Sequence, residues 1–170
     1  TGSWANFENP DFKLISLNTA RFDTTKHLAT PVISDAKVGL QQISEALGDW
    51  KAPDPWYQRA IKERDEWDSY VQKHSGPTNQ NEPSYAHAVG AVYRNADPSD
   101  IVVTAAGGLV GEVVQVWKPK QLNTFETEWG FSCMGYEISG AMGIKMAKPD
   151  QDVVVFVGDG SYLLNNSDIY

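Results

Sequence analysis

Cysteine is almost absent from the sequence, and histidine is scarce. Cys133 is the single cysteine among 170 residues, which excludes an internal disulfide framework and any zinc site built from several cysteines. The three histidines, His27, His74 and His87, show no spacing typical of metal ligands. Since a chain without disulfides fits a reducing compartment, we expect a cytoplasmic protein.

Positive charge and long apolar runs are also lacking. Lys plus Arg number 14 against 22 Asp plus Glu, which gives a net charge of -8, so neither nucleic acid nor an anionic membrane surface is an expected partner. The longest apolar run covers only residues 153–157, far below the roughly 18 residues of a spanning helix. We therefore expect no membrane-spanning segment.

The standard nucleotide and hydrolase motifs are missing as well. Residues 107–112 do not contain the pattern of a P-loop, and residues 158–160 lack the third glycine of a dinucleotide fingerprint. Residues 130–135 hold one residue too many for the G-x-S-x-G elbow, so Ser132 is a poor candidate for a hydrolase nucleophile. Cys133 lies near a predicted helix start, where the helix dipole lowers a thiol pKa, but with no histidine nearby in sequence we favour a packed thiol.

The first half of the sequence predicts a strand, a helix and a charged connection. Residues 13–18 are typical of a strand, and residues 34–47 have apolar positions at helical spacing. Residues 51–73 carry ten charges, five of each sign, and predict a solvated helix that leans Trp56 and Trp67 against a neighbouring surface. Residues 75–83 have loop composition and mark the best domain boundary.

The second half alternates helices and strands. It predicts a helix over 84–95, a strand over 101–104, a glycine turn at Gly107 and Gly108, a helix from about 134 to 147 and a strand over 153–157. This alternation indicates an α/β fold with a parallel sheet. Small residues recur every four positions along the second helix, which predicts either tight packing on the sheet or the close approach of a ligand or another backbone.

Residues 158–161, Gly-Asp-Gly-Ser, follow directly on the last apolar strand. Glycines in a strand-to-helix turn expose main-chain N–H groups in an arrangement typical of phosphate binding. Asp159 would repel a bare phosphate, but it is a suitable ligand for Mg²⁺ that accompanies one. Residues 84–170 contain five basic and ten acidic residues, which makes such a cation more necessary. A turn capped by Asp159 with no ligand is an equally good interpretation of these four residues.

Residues 125–170 resemble the cofactor-binding domain of thiamine diphosphate enzymes of the acetolactate synthase type. That family has a Met-Gly before a small-residue helix, a Lys-Pro-Asp-like turn, a hydrophobic strand and Gly-Asp-Gly-Ser. The same pieces occur here in the same order, at Met134 and Gly135, residues 148–150, residues 153–157 and residues 158–161.

The resemblance implies a domain scheme for nearly the whole chain. Residues 1–48 resemble the end of a Rossmann-like central domain, residues 49–83 are a linker with a charged helix, and residues 84–170 begin a parallel-sheet domain that binds thiamine diphosphate. The sequence opens on Thr1 without a leader, and its last predicted helix has barely begun at Tyr170. We therefore expect a fragment of a larger protein.

The resemblance also implies roles for individual residues. Asp159 would bind Mg²⁺, and the backbone at Gly160 and Ser161 would hold the diphosphate. Met134 would support the bent cofactor, with the backbone near Ser132 and Met134 against the aminopyrimidine. The remaining implied cofactor-binding residues are glycines in the two loops that would contact the diphosphate, one after each strand. They are Gly107, Gly108 and Gly158.

Two functional parts of the family are not found in this sequence. The second magnesium ligand belongs to an Asn-Asn pair further along the chain than Asn165 and Asn166, which come too early. The glutamate that activates the cofactor belongs to an N-terminal domain, usually of a partner subunit, and neither Glu128 nor Glu137 matches it. We therefore expect no catalytic residue here, and poor cofactor binding by these 170 residues alone.

Several stretches are similar to one branch of the family, which hydrolyses a C–C bond of a polyhydroxylated cyclohexane-1,2-dione in inositol catabolism. The parent enzyme would then act on a cyclic diketone as a homodimer or homotetramer. A carboligase or decarboxylase of 2-oxo acids is the alternative within the family. A non-catalytic α/β assembly module is the alternative from another class. The stretches are residues 1–6, 20–23, 26–31 and 131–137.

Overall fold

The computed structural model describes residues 9–170. The chain forms two compact units, which divide between Tyr57 and Gln58. Residues 1–6, one of the stretches that resemble one branch of the family, lie outside the described residues. The predicted α/β class is confirmed, because every strand pair is parallel in the described part.

The first unit, which extends to Tyr57, contains a two-stranded parallel sheet of β1 (Ile15–Asn18) and β2 (Thr30–Ile33). A short helix α1 (Arg21–Thr24) and a 3-10 turn join these strands. Helix α2 (Ala36–Leu47) follows, and the Asp35 carboxylate accepts hydrogen bonds from the first-turn N–H groups of Lys37 and Val38. The predicted strand and helix are both present but begin two residues later than predicted, and β2 was not predicted.

Helix α3 (Asp54–Ser75) is the predicted charged helix. Its solvated face carries i,i+4 ion pairs, such as Arg59 with Glu63 at 2.7 Å. The prediction that Trp56 and Trp67 lie against a neighbouring surface is wrong for the described chain, because their exposed fractions are 65% and 47%. Of the helices between residues 9 and 170, none combines the length and apolar character needed to cross a bilayer.

The second unit is built on a three-stranded parallel sheet in the order β4–β3–β5, with β3 (Ile101–Thr104) in the centre. Strand β4 is Phe125–Thr127 and strand β5 is Val153–Val155. Besides the part of α3 from Gln58 onward, the helices of this unit are α4 (Tyr85–Asn95), α5 (Gly108–Val116), α6 (Tyr136–Ala147) and α7 (Asp159–Asn165), and a 3-10 turn follows α7.

The side chains of β3 point alternately to two apolar clusters. Val102 packs with Val113 and Val116 of α5 on one face of the sheet. Ile101 and Val103 pack with α6 on the other face. All of β3 is buried, as is usual for a parallel strand covered by helices on both sides.

Two predicted boundaries of the second unit differ from the structure. Helix α6 begins at Tyr136 rather than near residue 134, because Gly135 has a left-handed conformation with φ of 96°. Strand β5 ends at Val155 rather than at residue 157, although the Phe156 N–H still donates to the Val103 carbonyl at 2.9 Å. These shorter ends leave two loops free to line a cleft.

Candidate functional site

A cleft of about 570 Å³ opens at the carboxyl ends of β3 and β5. Because these strands are parallel neighbours, the loops that leave them emerge at the same edge of the sheet, where α/β folds usually bind ligands. The lining residues are Tyr85, Ala106, Gly107, Gly108, Leu109, Met134, Val157, Gly158, Asp159, Gly160 and Ser161.

Two helices start at the cleft. Helix α5 begins directly after Gly107, whose φ of 87° is a conformation that favours glycine. Helix α7 begins at Asp159, directly after Gly158. Because the first N–H groups of a helix have no partner within it, both starts offer main-chain donors to a ligand in the cleft.

Met134 approaches the Gly-Asp-Gly-Ser turn closely. A Cβ atom placed on Gly160 would lie 3.1 Å from Cε of Met134, so this contact depends on the missing side chain. Met134 is 52% exposed and lines the cleft together with Leu109 and Val157. The cleft therefore combines an apolar wall with main-chain donors.

Asp159 is the only charged residue that lines the cleft among the described residues. Its exposed carboxylate is available to a cation. Nowhere between residues 9 and 170 do three His, Cys, Asp or Glu side chains form a group able to hold a metal alone. A magnesium ion at Asp159 would therefore take further oxygen ligands from water and from a bound phosphate, which is the usual arrangement for this metal.

The loop before Met134 is held by Glu128. Its Oε1 accepts from the Phe131 N–H at 2.8 Å, and its Oε2 accepts from the Cys133 N–H at 2.7 Å. The bond from Cys133, followed by the bond from Phe131, lowers the pKa of Glu128 below its ordinary value. Ser132 has a φ of 53° in this loop, is exposed, and does not line the cleft.

The Cys133 thiol is neither packed nor placed in the first turn of a helix, the two arrangements that the sequence suggested. It is exposed rather than packed, and it precedes α6 instead of lying within the first turn. Partial desolvation and then the charge of Glu128 raise its pKa. The thiolate is thus disfavoured, which argues against a nucleophilic role.

The structure brings together most of the predicted site residues and adds others. Seven of the eight line one cleft, and Ser132 is the exception. Sequence reasoning missed Tyr85, Ala106, Leu109 and Val157, of which Val157 was assigned to a strand. It also missed a structural role for Glu137, although an acidic residue in a helix of small and apolar residues was a usable signal.

Asn165 and Asn166 follow the cleft turn within α7 and the 3-10 turn after it. The side-chain amide of Asn165 donates to the Gly135 carbonyl at 3.2 Å and to the Ser139 hydroxyl. It is therefore engaged by α6 and the turn before it, and does not line the cleft.

The cleft fits a diphosphate-containing cofactor. Its two helix starts supply donors for phosphate oxygens, Asp159 supplies one hard oxygen ligand, and Met134 faces the same space. The family model described as "Thiamine pyrophosphate enzyme, C-terminal TPP binding domain" matches residues 105–170. Every lining residue except Tyr85 falls within that range, and the match confirms the resemblance.

Curated relatives extend the similarity to nearly the whole chain. Proteins named 3D-(3,5/4)-trihydroxycyclohexane-1,2-dione hydrolase are 33% identical in Geobacillus thermodenitrificans and 33% identical in Clostridium tetani, over 92% and 96% of this chain. The Bacillus licheniformis protein of the same name is 31% identical over 99% of the chain. The chain spans less than a third of the length of these relatives, with shares of 28%, 29% and 30%.

Proposed function

We propose, from the premise that residues 105–170 belong to the thiamine pyrophosphate enzyme family, that the cleft binds the diphosphate of thiamine diphosphate together with Mg²⁺. The observation that carries the proposal is the convergence of two helix starts and the single carboxylate of Asp159 on one cleft. Because no lysine or arginine lines the cleft in the described chain, a cation is needed to offset the charge of the diphosphate.

We propose a separate role in cofactor binding for each group of cleft residues. Asp159 would ligate Mg²⁺, and the backbone at Gly158, Gly160 and Ser161 would contact the diphosphate from one side. Gly107 and Gly108 would contact it from the other side. Met134 would support the cofactor rings, with the backbone near Ser132 beside them. When bound, thiamine diphosphate supplies a nucleophilic carbon for attack on a carbonyl group.

For the whole protein we propose hydrolysis of a C–C bond in a cyclic 1,2-diketone. The support is that the three curated relatives carry a trihydroxycyclohexane-1,2-dione hydrolase name and align with 92–99% of this chain. Water enters and the ring opens to give an acid, so no carbon is lost from the product. We further propose that the whole protein works as a homodimer or homotetramer in the cytoplasm.

Cofactor binding is the first experiment. Calorimetry on the full-length protein should show thiamine diphosphate binding with Mg²⁺ and none in a chelator, and Asp159→Ala should abolish it because a metal ligand is lost. Asp150→Ala removes the same charge from an exposed turn outside the cleft and should bind normally. Tight binding in the presence of a chelator would contradict the magnesium proposal, and absence of binding by the wild type would leave a non-catalytic module.

The reaction is the second experiment. The full-length enzyme should consume a polyhydroxylated cyclohexane-1,2-dione, release one acid equivalent per turnover and evolve no CO₂. Formation of acetolactate from pyruvate at a comparable kcat/KM, or CO₂ release from a 2-oxo acid, would instead assign the protein to the carboligases and decarboxylases. That result would leave the cofactor proposal standing.

A further inference from the structure

Glu137 is a fully buried acidic residue, with an exposed fraction of 0%. It lies in the first turn of α6, outside the cleft lining. Its carboxylate forms no ion pair with any residue between 9 and 170. A buried carboxylate is costly unless its oxygens are hydrogen-bonded, so its bonding partners indicate what it does.

Each oxygen of Glu137 accepts one main-chain hydrogen bond from a different loop. The Ala106 N–H donates to Oε1 at 3.2 Å, and the Gly135 N–H donates to Oε2 at 3.0 Å. Ala106 directly precedes Gly107, the last residue before α5, and Gly135 directly follows Met134. One side chain thus connects two walls of the cleft at residues adjacent to its proposed cofactor contacts.

Helix α7, which begins at the Gly-Asp-Gly-Ser turn of the cleft, is also bonded to Gly135. Asn165 of α7 donates from Nδ2 to the Gly135 carbonyl at 3.2 Å. Gly135 is therefore held at its N–H by Glu137 and at its carbonyl by Asn165, in a backbone conformation with φ of 96°. A Cβ on Gly135 would lie 3.0 Å from Cβ of Asn165, so the peptide and α7 fit closely.

We infer that Glu137 is a positioning residue, which sets the distance between the Gly107 loop and Met134 and so shapes the cleft for the cofactor. The inference rests on the proposed function. Glu137 itself does not line the cleft. It acts through the N–H groups of Ala106 and Gly135, and Asn165 completes the linkage at the Gly135 carbonyl.

Glu137→Gln tests this role with little change in volume. Glutamine keeps one acceptor oxygen but presents an amide donor to the other N–H group, so one of the two bonds is replaced by two opposed donors. We expect the Kd of thiamine diphosphate, measured on the full-length protein in saturating Mg²⁺, to rise about 10- to 100-fold. Glu137→Ala, which removes both acceptors, should raise it further.

A matched core variant separates positioning from stability. Val89 is 0% exposed and lies in α4, outside the cleft. Val89→Ala should lower the Tm of the cofactor-free protein while leaving the Kd unchanged. If Glu137→Gln lowers Tm in the same way and also leaves the Kd unchanged, Glu137 is a structural residue only and the inference is overturned.

Asn165→Ala provides a second test that does not depend on a buried substitution, and is needed if Glu137→Gln does not fold. It should raise the Kd of thiamine diphosphate by about tenfold, because the Gly135 carbonyl loses its side-chain donor. An unchanged Kd in this variant would overturn the linkage. If the wild type does not bind the cofactor, the proposed function fails, whereas normal wild-type binding with unaffected variants removes only this inference.

Discussion

Met134 is the residue at which a role in stability and a role in cofactor binding predict different effects of substitution. It is 52% exposed, and its Cε approaches Gly160 in the cleft. A buried methionine costs about 2–5 kcal/mol when it is truncated to alanine, and a half-exposed one costs less because the apolar area lost is smaller. We therefore expect Met134 to contribute to the shape of the cleft more than to the stability of the fold.

We predict that Met134→Ala causes a large loss of kcat and only a small loss of stability. The kcat falls because the reacting groups are no longer held in attack geometry. The loss of stability should stay below about 1 kcal/mol. Met146→Ala is the control, since Met146 is 78% exposed at the other end of α6 and should retain full kcat. Urea titrations and turnover at saturating cofactor measure both quantities. A large stability loss with unchanged turnover would make Met134 a core residue.

We expect Glu128 to make the stability of the 128–133 loop depend on pH. Because its pKa is lower in the folded protein than its ordinary value of 4.5, the ionised carboxylate stabilises the loop above that value. The stabilisation is lost as pH falls from there through the folded pKa. We predict that Trp129, which is 58% exposed in this loop, changes its fluorescence over this acid range.

Glu128→Gln is the test of that assignment. The variant should lose the acid transition, because glutamine does not titrate, and its loop should be less ordered at neutral pH. The transition should occur below pH 4.5 in the wild type. A Trp129 transition that persists unchanged in Glu128→Gln would assign it to another carboxylate.

At the scale of elements, α4 packs on the end of α3 through a glycine. A Cβ on Gly90 would lie 2.1 Å from the Ser75 carbonyl oxygen, a backbone atom that also accepts from the Arg94 guanidinium at 2.6 Å. Since the two helices cannot approach as closely with a side chain at this position, the contact requires glycine.

We predict that Gly90→Ala destabilises the second unit by about 1–3 kcal/mol or more, because the overlap involves backbone rather than a flexible side chain. Gly143→Ala is the matched control. Gly143 also lies within a helix, with open space around it, so alanine should stabilise by up to about 1 kcal/mol through helix propensity. Thermal unfolding of both variants measures the difference, and equal effects would contradict the close contact at Ser75.

The elements also show how far sequence patterns predict this fold. The strand over 101–104 was predicted at its observed bounds, because its four residues, Ile-Val-Val-Thr, are all β-branched and have high strand propensity. Helix α5 was missed because its segment is rich in valine, which has high strand propensity. Its packing of Val113 and Val116 against β3 decides the structure, and a sequence window does not contain that contact.

The location of the candidate site was predicted better than the elements around it. Residues 158–161 were found as a glycine turn after a strand, Gly107 and Gly108 were assigned by the family resemblance, and all of them lie in one cleft. The sequence shows Glu137 as an acidic residue in a helix of small and apolar residues, but it does not show what the carboxylate binds, since its partner Ala106 lies 31 residues away. A hydrogen bond between distant loops has no local pattern.

At the scale of the whole chain, the two compact units differ in their relation to the cleft. Every lining residue belongs to the unit that begins at Gln58. A ligand that binds only the folded form stabilises it by about 2.7 kcal/mol at a free concentration of 100 times its Kd. That stabilisation suppresses the local unfolding events that expose the cleft. Local unfolding that is confined to the first unit is not affected.

Hydrogen exchange on the full-length protein should therefore report cofactor binding in one unit only. With thiamine diphosphate and Mg²⁺ at about 100 times the Kd, amide exchange in peptides that cover residues 104–109, 133–137 and 157–162 should slow by up to about 100-fold. Peptides within α2 should exchange at an unchanged rate. Asp159→Ala should remove the protection, while Asp150→Ala should retain it. Equal protection of α2 and the cleft loops would mean that the units open together, and protection of α2 alone would contradict the assigned site.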